Sequence, residues 1–325
     1  MENRNLNAFK ESMNRLAGKG ESFLFIIDYS LKSAILIPTS ECDSHDIYYD
    51  FAGVSNRRES SFTGDIRLQK HPVPYSQYLE AFEYVRKEIH KGNSYLVNLT
   101  FPTPVECNLS LSEIFHLSKA PYKLLYKNLF LVFSPECFIK ITNGTISTFP
   151  MKGTIDASLE DAKNILLTNE KETAEHATIV DLLRNDLSRV ATNIHVEKYR
   201  YIDKINTSEK SLLQMSSIIS GDLPEDYLSK LGDIITDLLP AGSICGAPKK
   251  ATLKIIAEAE KYDRGFYTGV FGIFDGTNLD SGVMIRYIEN REGQLVYKSG
   301  GGITAKSDPE EEYQELIDKI YVPVN

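Results

Sequence analysis

Residues 169–189 read NEKETAEHATIVDLLRNDLSR, and their apolar positions follow the period of a helix. Asn169 followed by Glu172 is a capping-box start. Ala174, Ala177, Val180, Leu183 and Leu187 recur every three or four positions, which predicts one buried stripe. Glu172 and Glu175 stand three apart, so their carboxylates share a face, one turn apart. The same spacing returns near the C-terminus. Ser307-Asp308-Pro309 opens a second helix with proline in its first turn, and Glu312 and Glu315 repeat the E-x-x-E pair. Two helices so equipped can meet around a hard divalent cation. Mg²⁺ takes oxygen ligands and keeps waters that a substrate's oxygens can replace. The plainer alternative is that Glu172 only caps its helix and Glu315 only pairs with Lys319, one turn on.

Working outward, the 325-residue chain carries a formal charge of −9, which argues against a nucleic-acid or anionic-membrane surface. An anionic substrate then needs a local cationic pocket or a metal. Cys42, Cys107, Cys137 and Cys245 are scattered and form no C-x-x-C pair, so zinc and redox motifs are not expected. Reduced thiols in a cytoplasm are the simplest reading. The longest apolar runs are strand-sized and too short for a bilayer. No linker or charge block divides the chain, so a single domain over residues 1–325 is expected.

Periodicity and turn residues predict helices over 3–17, 75–91, 110–118, 158–167, 227–239 and 249–261, beside the two already named. Strands are predicted over 23–27, 33–38, 47–54, 95–101, 129–134, 136–142 and 145–149, the last two joined by an Asn143-Gly144 turn. Further strands are predicted over 195–200, 211–221, 269–275, 281–289 and 294–299, and residues 57–70 read as an irregular loop. Series of strands broken by blocks of helices place the chain in the α+β class.

Four further segments can carry chemistry. Pro150-Met151-Lys152-Gly153-Thr154 reads as the exit from a strand into a helix, with Lys152 at the strand end and Gly153 allowing a sharp turn or a close ligand. An enclosed lysine there could act as nucleophile or base; the plain alternative is a surface turn. Ser134-Pro135-Glu136 precedes a strand whose hairpin brings Glu136 and Lys152 towards one sheet end. The pair can exchange a proton or be a structural salt bridge. The loop from Gly242 to Lys250, GSICGAPKK, opens a helix and can turn backbone N–H groups to an anion, though it is not a Walker A loop. Gly300-Gly301-Gly302, read as a loop before the last helix, can do the same. Arg286, read on the strand 281–289, can bind a carboxylate in bidentate fashion. Turns and a surface arginine would account for the same residues.

Together, SPECFI, PMKGT, EKETAEHATIVDLLRNDLSRV, LLPAGSICGAPKKAT, RGFYTGVFGIF, GVMIRYIE and GGGITAKSDPEEEYQE run in one order between about Tyr95 and Tyr321. In this the chain resembles the chorismate-binding enzymes: anthranilate synthase component I, aminodeoxychorismate synthase component I, and the isochorismate or salicylate synthases. The resemblance implies an α+β fold of two facing antiparallel sheets with helices packed outside. It implies that Glu175 and Glu315 ligate Mg²⁺, with Glu172 and Glu312 supporting through waters, and that the metal holds the ring carboxylate of chorismate. It implies that Arg286, Tyr267 and the backbone at Gly302 hold the enolpyruvyl carboxylate. Ser243 and Lys249 match the family's GAPK loop and are carried over as substrate-binding residues without an assigned direct role. The N-terminal part is reduced against the family's, which implies that no tryptophan feedback site is present.

The lysine of PMKGT resembles that of the P-I-K-G-T segment of aminodeoxychorismate synthase component I, where anthranilate and isochorismate synthases usually carry alanine. On that likeness Lys152 is the nucleophile that attacks C2 and expels the C4 hydroxyl. Ammonia then adds at C4 and expels the lysine, with Glu136 as the proton partner of Lys152. The product would be 4-amino-4-deoxychorismate, a precursor of 4-aminobenzoate and folate. The chain has no G-x-C-x-G motif, so a separate glutamine amidotransferase subunit is implied as the ammonia source. Two positions depart from the family pattern. Gln214 stands where an H-x-x-S histidine is usual, and it can hydrogen-bond but cannot donate a proton as His⁺ does. Cys245 stands where Thr or Ser is commoner. The alternatives are an anthranilate synthase component I and a catalytically silent chorismate-binding subunit.

Overall fold

The structure, a computed structural model, describes residues 2–3, 5–56, 65–206 and 211–324. In chain order, β1 (Glu2–Asn3), helix α1 (Leu6–Gly18), β2 (Phe23–Ile27), β3 (Ala34–Pro38), β4 (Ile47–Phe51), β5 (Val54–Ser55) and β6 (Leu68–Lys70) come first. Helix α2 (Tyr75–His90) leads to β7 (Leu96–Cys107), α3 (Leu111–Leu117), β8 (Tyr122–Tyr126) and β9 (Phe130–Ser134). Next come β10 (Cys137–Thr142), β11 (Thr145–Thr148), β12 (Met151–Asp156), α4 (Ala162–Thr168) and α5 (Glu170–Leu187). The long pair β13 (Thr192–Asn206) and β14 (Ser211–Asp222) precedes α6 (Leu231–Asp237), β15 (Gly246–Ala247) and α7 (Lys249–Glu260). Strands β16 (Val270–Phe274), β17 (Leu279–Val283), β18 (Tyr287–Arg291) and β19 (Gln294–Ile303) and helix α8 (Pro309–Asp318) close the chain.

The strands form two antiparallel sheets. One runs β1-β3-β2-β16-β17-β10-β11-β14-β12, with β13 also on β14; the other runs β15-β7-β19-β18-β9-β8-β4-β5, with β6 on β7. The sheets face each other, as expected. Leu24, Ile26 and Phe271 of the first pack with Tyr49, Phe51 and Leu124 of the second. A Cβ on Gly282 of β17 would come within 2.9 Å of Tyr122 on β8. Strand β2 reads FLFII without a polar break because both of its faces are covered. Leu24 and Ile26 face the other sheet, while Phe23, Phe25 and Ile27 share a core with Phe9 and Met13 of α1. No helix among the described residues is long and apolar enough to cross a membrane.

Several expectations need correction. Residues 281–289 are not one strand: β17 ends at Val283 in the first sheet, and β18 begins at Tyr287 in the second. The chain changes sheets through Met284–Arg286, with Arg286 at φ +52°. Both halves are buried, so the apolar run is continuous across the change. Gly300–Gly302 are not a loop but part of β19, paired with Thr100, Leu99 and Asn98 of β7. A Cβ on Gly300 would lie 2.3 Å from the Leu99 carbonyl oxygen, so the glycine permits close strand approach. PMKGT does not run into a helix; Met151–Asp156 pairs with β14, and α4 starts only at Ala162. Gly153, at φ +75°, sits where the register shifts between Lys152 and Thr154, a bulge that hides the strand's period. Strand β8 was not anticipated. Of the expected loop over 57–70, residues 57–64 lie outside the described residues, and Leu68–Lys70 pairs with β7.

Helix α5 starts as anticipated, with the Asn169 side chain accepting the Glu172 N–H at 3.0 Å. Its buried face differs in the first half. Ala174 and Ala177 are exposed, and His176 and Ile179 are buried in their place, while Val180 is buried as expected.

Candidate active site

A cavity of about 510 Å³ is lined from both sheets, from α5 and α8, from the 238–244 loop and from the sheet-to-sheet crossing. All four E-x-x-E glutamates reach it, as do Lys152, Glu136, Gln214, Ser243, Tyr267, Arg286 and Gly302. The bulge at Gly153 turns Lys152 inward. Its Nζ lies 3.7 Å from Glu175 Oε2 and 3.5 Å from where a Cβ on Gly302 would stand. Glycines also back the carboxylates. A Cβ on Gly153 would lie 3.0 Å from Glu172 Oε2, and one on Gly301 would lie 3.2 Å from Glu312 Oε2 and 3.7 Å from Glu315 Oε1. Glu312 is buried and accepts the Ser307 hydroxyl at 2.7 Å, whereas Glu315 is half exposed and ion-pairs with Lys319 at 2.5 Å.

Glu136 is pushed above the ordinary carboxylate range by burial, against a hydrogen bond from Ser243 and the nearby charges of Lys152, Arg286 and Lys319. A carboxyl so placed holds its proton longer and can serve as an acid. The Arg286 guanidinium sits 5.2 Å from the centre of the Tyr321 ring, and its Nε is buried with no hydrogen-bond partner among the described residues. A buried unpaired donor on a cavity wall costs stability unless a bound anion satisfies it. Tyr267 is buried beside the Tyr287 ring, and Gln214 lies opposite Thr154 on the β12–β14 ladder.

Lys249 is the exception among the expected substrate-binding residues, because it does not line the cavity. Its ammonium donates to both oxygens of Asp186 at 3.0 and 2.9 Å and to the Leu238 carbonyl at 3.1 Å. This holds the start of α7 and the preceding loop against α5. Helix geometry explains the difference: Lys249 is the first residue of α7, and Asp186, the last residue but one of α5, meets it there. Cys245 is likewise turned away, buried beside Tyr29 and Arg264. Two charged residues of the cavity lie outside the expected set. Asp186 lines the wall, its carboxyl raised by burial and held back by Lys249. Lys319, read only as the partner of Glu315, also lines the cavity and donates to the Gly300 carbonyl at 3.0 Å; burial pushes its pKa down, against the pull of Glu315. Its spacing from Glu315 was visible, but its place beside β19 was not.

Two carboxylates from each of two helices supply oxygen donors of the kind a hard cation takes. Among the described residues no three acidic, His or Cys side chains already stand as a closed ligand set. The donor chemistry therefore fits an open site, in which waters and substrate oxygens would complete the coordination of Mg²⁺. Lys152 and Lys319 stand among these carboxylates, ion-paired with Glu175 and Glu315, and Arg286 lines the same cavity. The cavity thus interleaves anionic and cationic groups.

Residues 30–325 match the family described as chorismate binding enzyme. An uncharacterized PabA-like protein of Haemophilus influenzae is 49% identical over 97% of this chain and 96% of its own length. Aminodeoxychorismate synthase component 1 of Escherichia coli is 30% identical over 91% of this chain; the match spans 66% of that longer protein. The solved structure of the menaquinone-specific isochorismate synthase of Escherichia coli superposes with a TM-score of 0.73 over 98% of this chain and 82% of its own, at 16% identity, a likeness of fold. By the family match along nearly all of its length, set on two facing sheets that enclose this cavity, the chain belongs to the chorismate-binding enzymes.

Proposed function

We propose that the chain is the chorismate-aminating component of an aminodeoxychorismate synthase, converting chorismate and ammonia to 4-amino-4-deoxychorismate. The observation that carries this reading is Lys152. A lysine stands on the cavity wall, turned inward by a bulge, between a glutamate of α5 and the close-packed glycines of β19. Arg286 would bind the enolpyruvyl carboxylate through its unpaired edge, with Tyr267 and the Gly302 backbone beside it, and Gln214 and Ser243 would complete the wall. Mg²⁺, held by Glu175 and Glu315 with Glu172 and Glu312 behind through waters, would neutralise the ring carboxylate. The Lys152 amine forms a bond to C2 as both ring double bonds shift, C1=C2 to C1=C6 and C5=C6 to C4=C5, and the C4–O bond breaks. The leaving hydroxyl takes a proton, for which Glu136 is the suited donor. Ammonia then forms a bond to C4, both double bonds return to C5=C6 and C1=C2, and the C2–N bond to Lys152 breaks. Splitting one displacement into two steps lowers each barrier. The name "component 1" of the Escherichia coli relative speaks for a second component, and a separate glutamine amidotransferase would supply the ammonia.

The test is product identity. Incubated with chorismate, Mg²⁺ and ammonium, the protein should yield 4-aminobenzoate only when an aminodeoxychorismate lyase is added. Lys152→Ala should lower that yield at least about 100-fold while chorismate still binds. Anthranilate formed without the lyase would overturn the reading, and unchanged turnover in Lys152→Ala would remove the nucleophile.

A further inference from the structure

Glu172 and Glu175 occupy one face of α5, and Thr173 and His176 lie about 100° further round, where they meet the sheet instead of the cavity. The first two turns have little apolar anchorage, since Ala174 and Ala177 are exposed and the buried apolar contacts start at Ile179 and Val180. Polar bonds take their place. His176 is fully buried, and its Nε2 lies 2.7 Å from Ser217 Oγ, with the Tyr199 ring 6.0 Å away. Ser217 Oγ also accepts the Arg200 N–H at 3.0 Å. Arg200 stands at a register shift of β13 with φ +53°, and its Nη2 donates to Thr173 Oγ1 at 2.9 Å and to the Leu167 carbonyl. The Ser217 N–H in turn donates to the Pro150 carbonyl at 3.0 Å, two residues before Lys152. None of Arg200, Ser217 and His176 lines the cavity. Ser217 is therefore the junction between the strand that carries Lys152 and the helix that carries Glu172 and Glu175.

We propose that Arg200, Ser217 and His176 are positioning residues that fix the rotation of α5, and so set both the cation affinity of Glu172 and Glu175 and their distance from Lys152. A rotation of about 20° on a helix of roughly 5 Å side-chain radius moves a carboxylate by roughly 2 Å. Metal–ligand distances tolerate only about 0.2 Å. The inference rests on reading Glu175 as a cation ligand with Glu172 behind it through water.

The experiment is titration of the full chain with Mn²⁺, with and without chorismate, by calorimetry and electron paramagnetic resonance, beside thermal unfolding. Ser217→Ala and His176→Leu should weaken Mn²⁺ binding about tenfold, the scale seen when groups behind metal ligands are removed. His176→Gln, whose amide reaches the same hydroxyl, should bind within about twofold of wild type. Thr173→Val drops only the Arg200 bond and should weaken binding about threefold, which keeps the test open should the larger changes unfold the chain. Ile234→Val, a core change in α6 that touches none of these bonds, should lower the melting temperature without moving Mn²⁺ affinity. Equal Mn²⁺ affinity in wild type, Ser217→Ala, His176→Leu and Thr173→Val would overturn the positioning role. Absence of Mn²⁺ binding in the wild type would instead overturn the cation reading and this inference with it.

Discussion

Gly153 decides where Lys152 points. Its φ of +75° belongs to the region that side chains rarely adopt, and a Cβ there would stand 2.9 Å from Leu166 and 3.0 Å from Glu172. Gly153→Ala should therefore cost about 1–2 kcal/mol in backbone strain and displace Glu172 as well. Urea unfolding should show the loss and chorismate turnover should fall; an unshifted midpoint would mean that the bulge relaxes. Glu136 permits a prediction of opposite sign. Burial raises its pKa, so the folded chain holds this proton more tightly than the unfolded chain does. Between the ordinary and the raised pKa the folded state binds more protons, and the group's contribution to stability falls as pH rises through that window. Glu136→Gln removes this term. Its stability relative to wild type should rise between mildly acid and neutral pH while turnover drops. A pH series of urea melts in which the variant loses ground to wild type would contradict this.

At the scale of elements, the two carboxylate helices are held in different ways. Helix α8 is fastened at its start: Pro309 occupies its first turn, and Asp308 Oδ1 accepts the N–H groups of Glu310 and Glu311 at 2.9 and 3.1 Å. Ser307, one residue earlier, bonds Glu312 directly. Asp308→Ala should cost about 1 kcal/mol, the usual worth of a cap, and raise the chorismate KM more than it lowers kcat, because it loosens a binding helix and leaves Lys152 in place. An equal fall in kcat alone would argue against that division. Helix α5 is capped by Asn169, but its rotation depends on the sheet behind it. The spacing of both E-x-x-E pairs could be read from the chain, because i and i+3 share a face in any helix. Which residues of α5 lie buried could not, because a histidine there has as its partner a serine distant in sequence, itself bonded by an equally distant arginine.

At the scale of the molecule, the cavity exists because the chain changes sheets beside it. Arg286 stands at that change, and the strands on either side belong to opposite walls. Deeper in, the Glu260–Arg264 pair is almost wholly buried at 2.5 Å, and Arg264 also donates to the carbonyls of Asn98 and Ile244. It thereby joins the end of α7 to β7 and to the loop on the cavity wall. Arg264→Met alone leaves Glu260 buried without its partner and should cost about 3–5 kcal/mol. The double variant Arg264→Met, Glu260→Leu should recover part of that loss in urea unfolding. A double variant no more stable than the single one would show that neutral bonds, those of Arg264 to the two carbonyls and of Glu260 to Thr100, and not the paired charge, carry the effect.

What is local was legible along the chain: the starts of α5 and α8, the two carboxylate pairs, the lysine beside a glycine, and the α+β succession of elements. The agreement of several short motifs also identified the family. Long-range pairing was needed to place Arg286 at a crossing between sheets, Gly300–Gly302 in a strand, Lys319 and Asp186 on the cavity wall, and Lys249 away from it. Spacing along one element is set by backbone geometry within a few residues. Convergence of β12, β19, α5 and α8 on one cavity is set by strand pairings and buried polar bonds between residues far apart in the chain, and no local period records those.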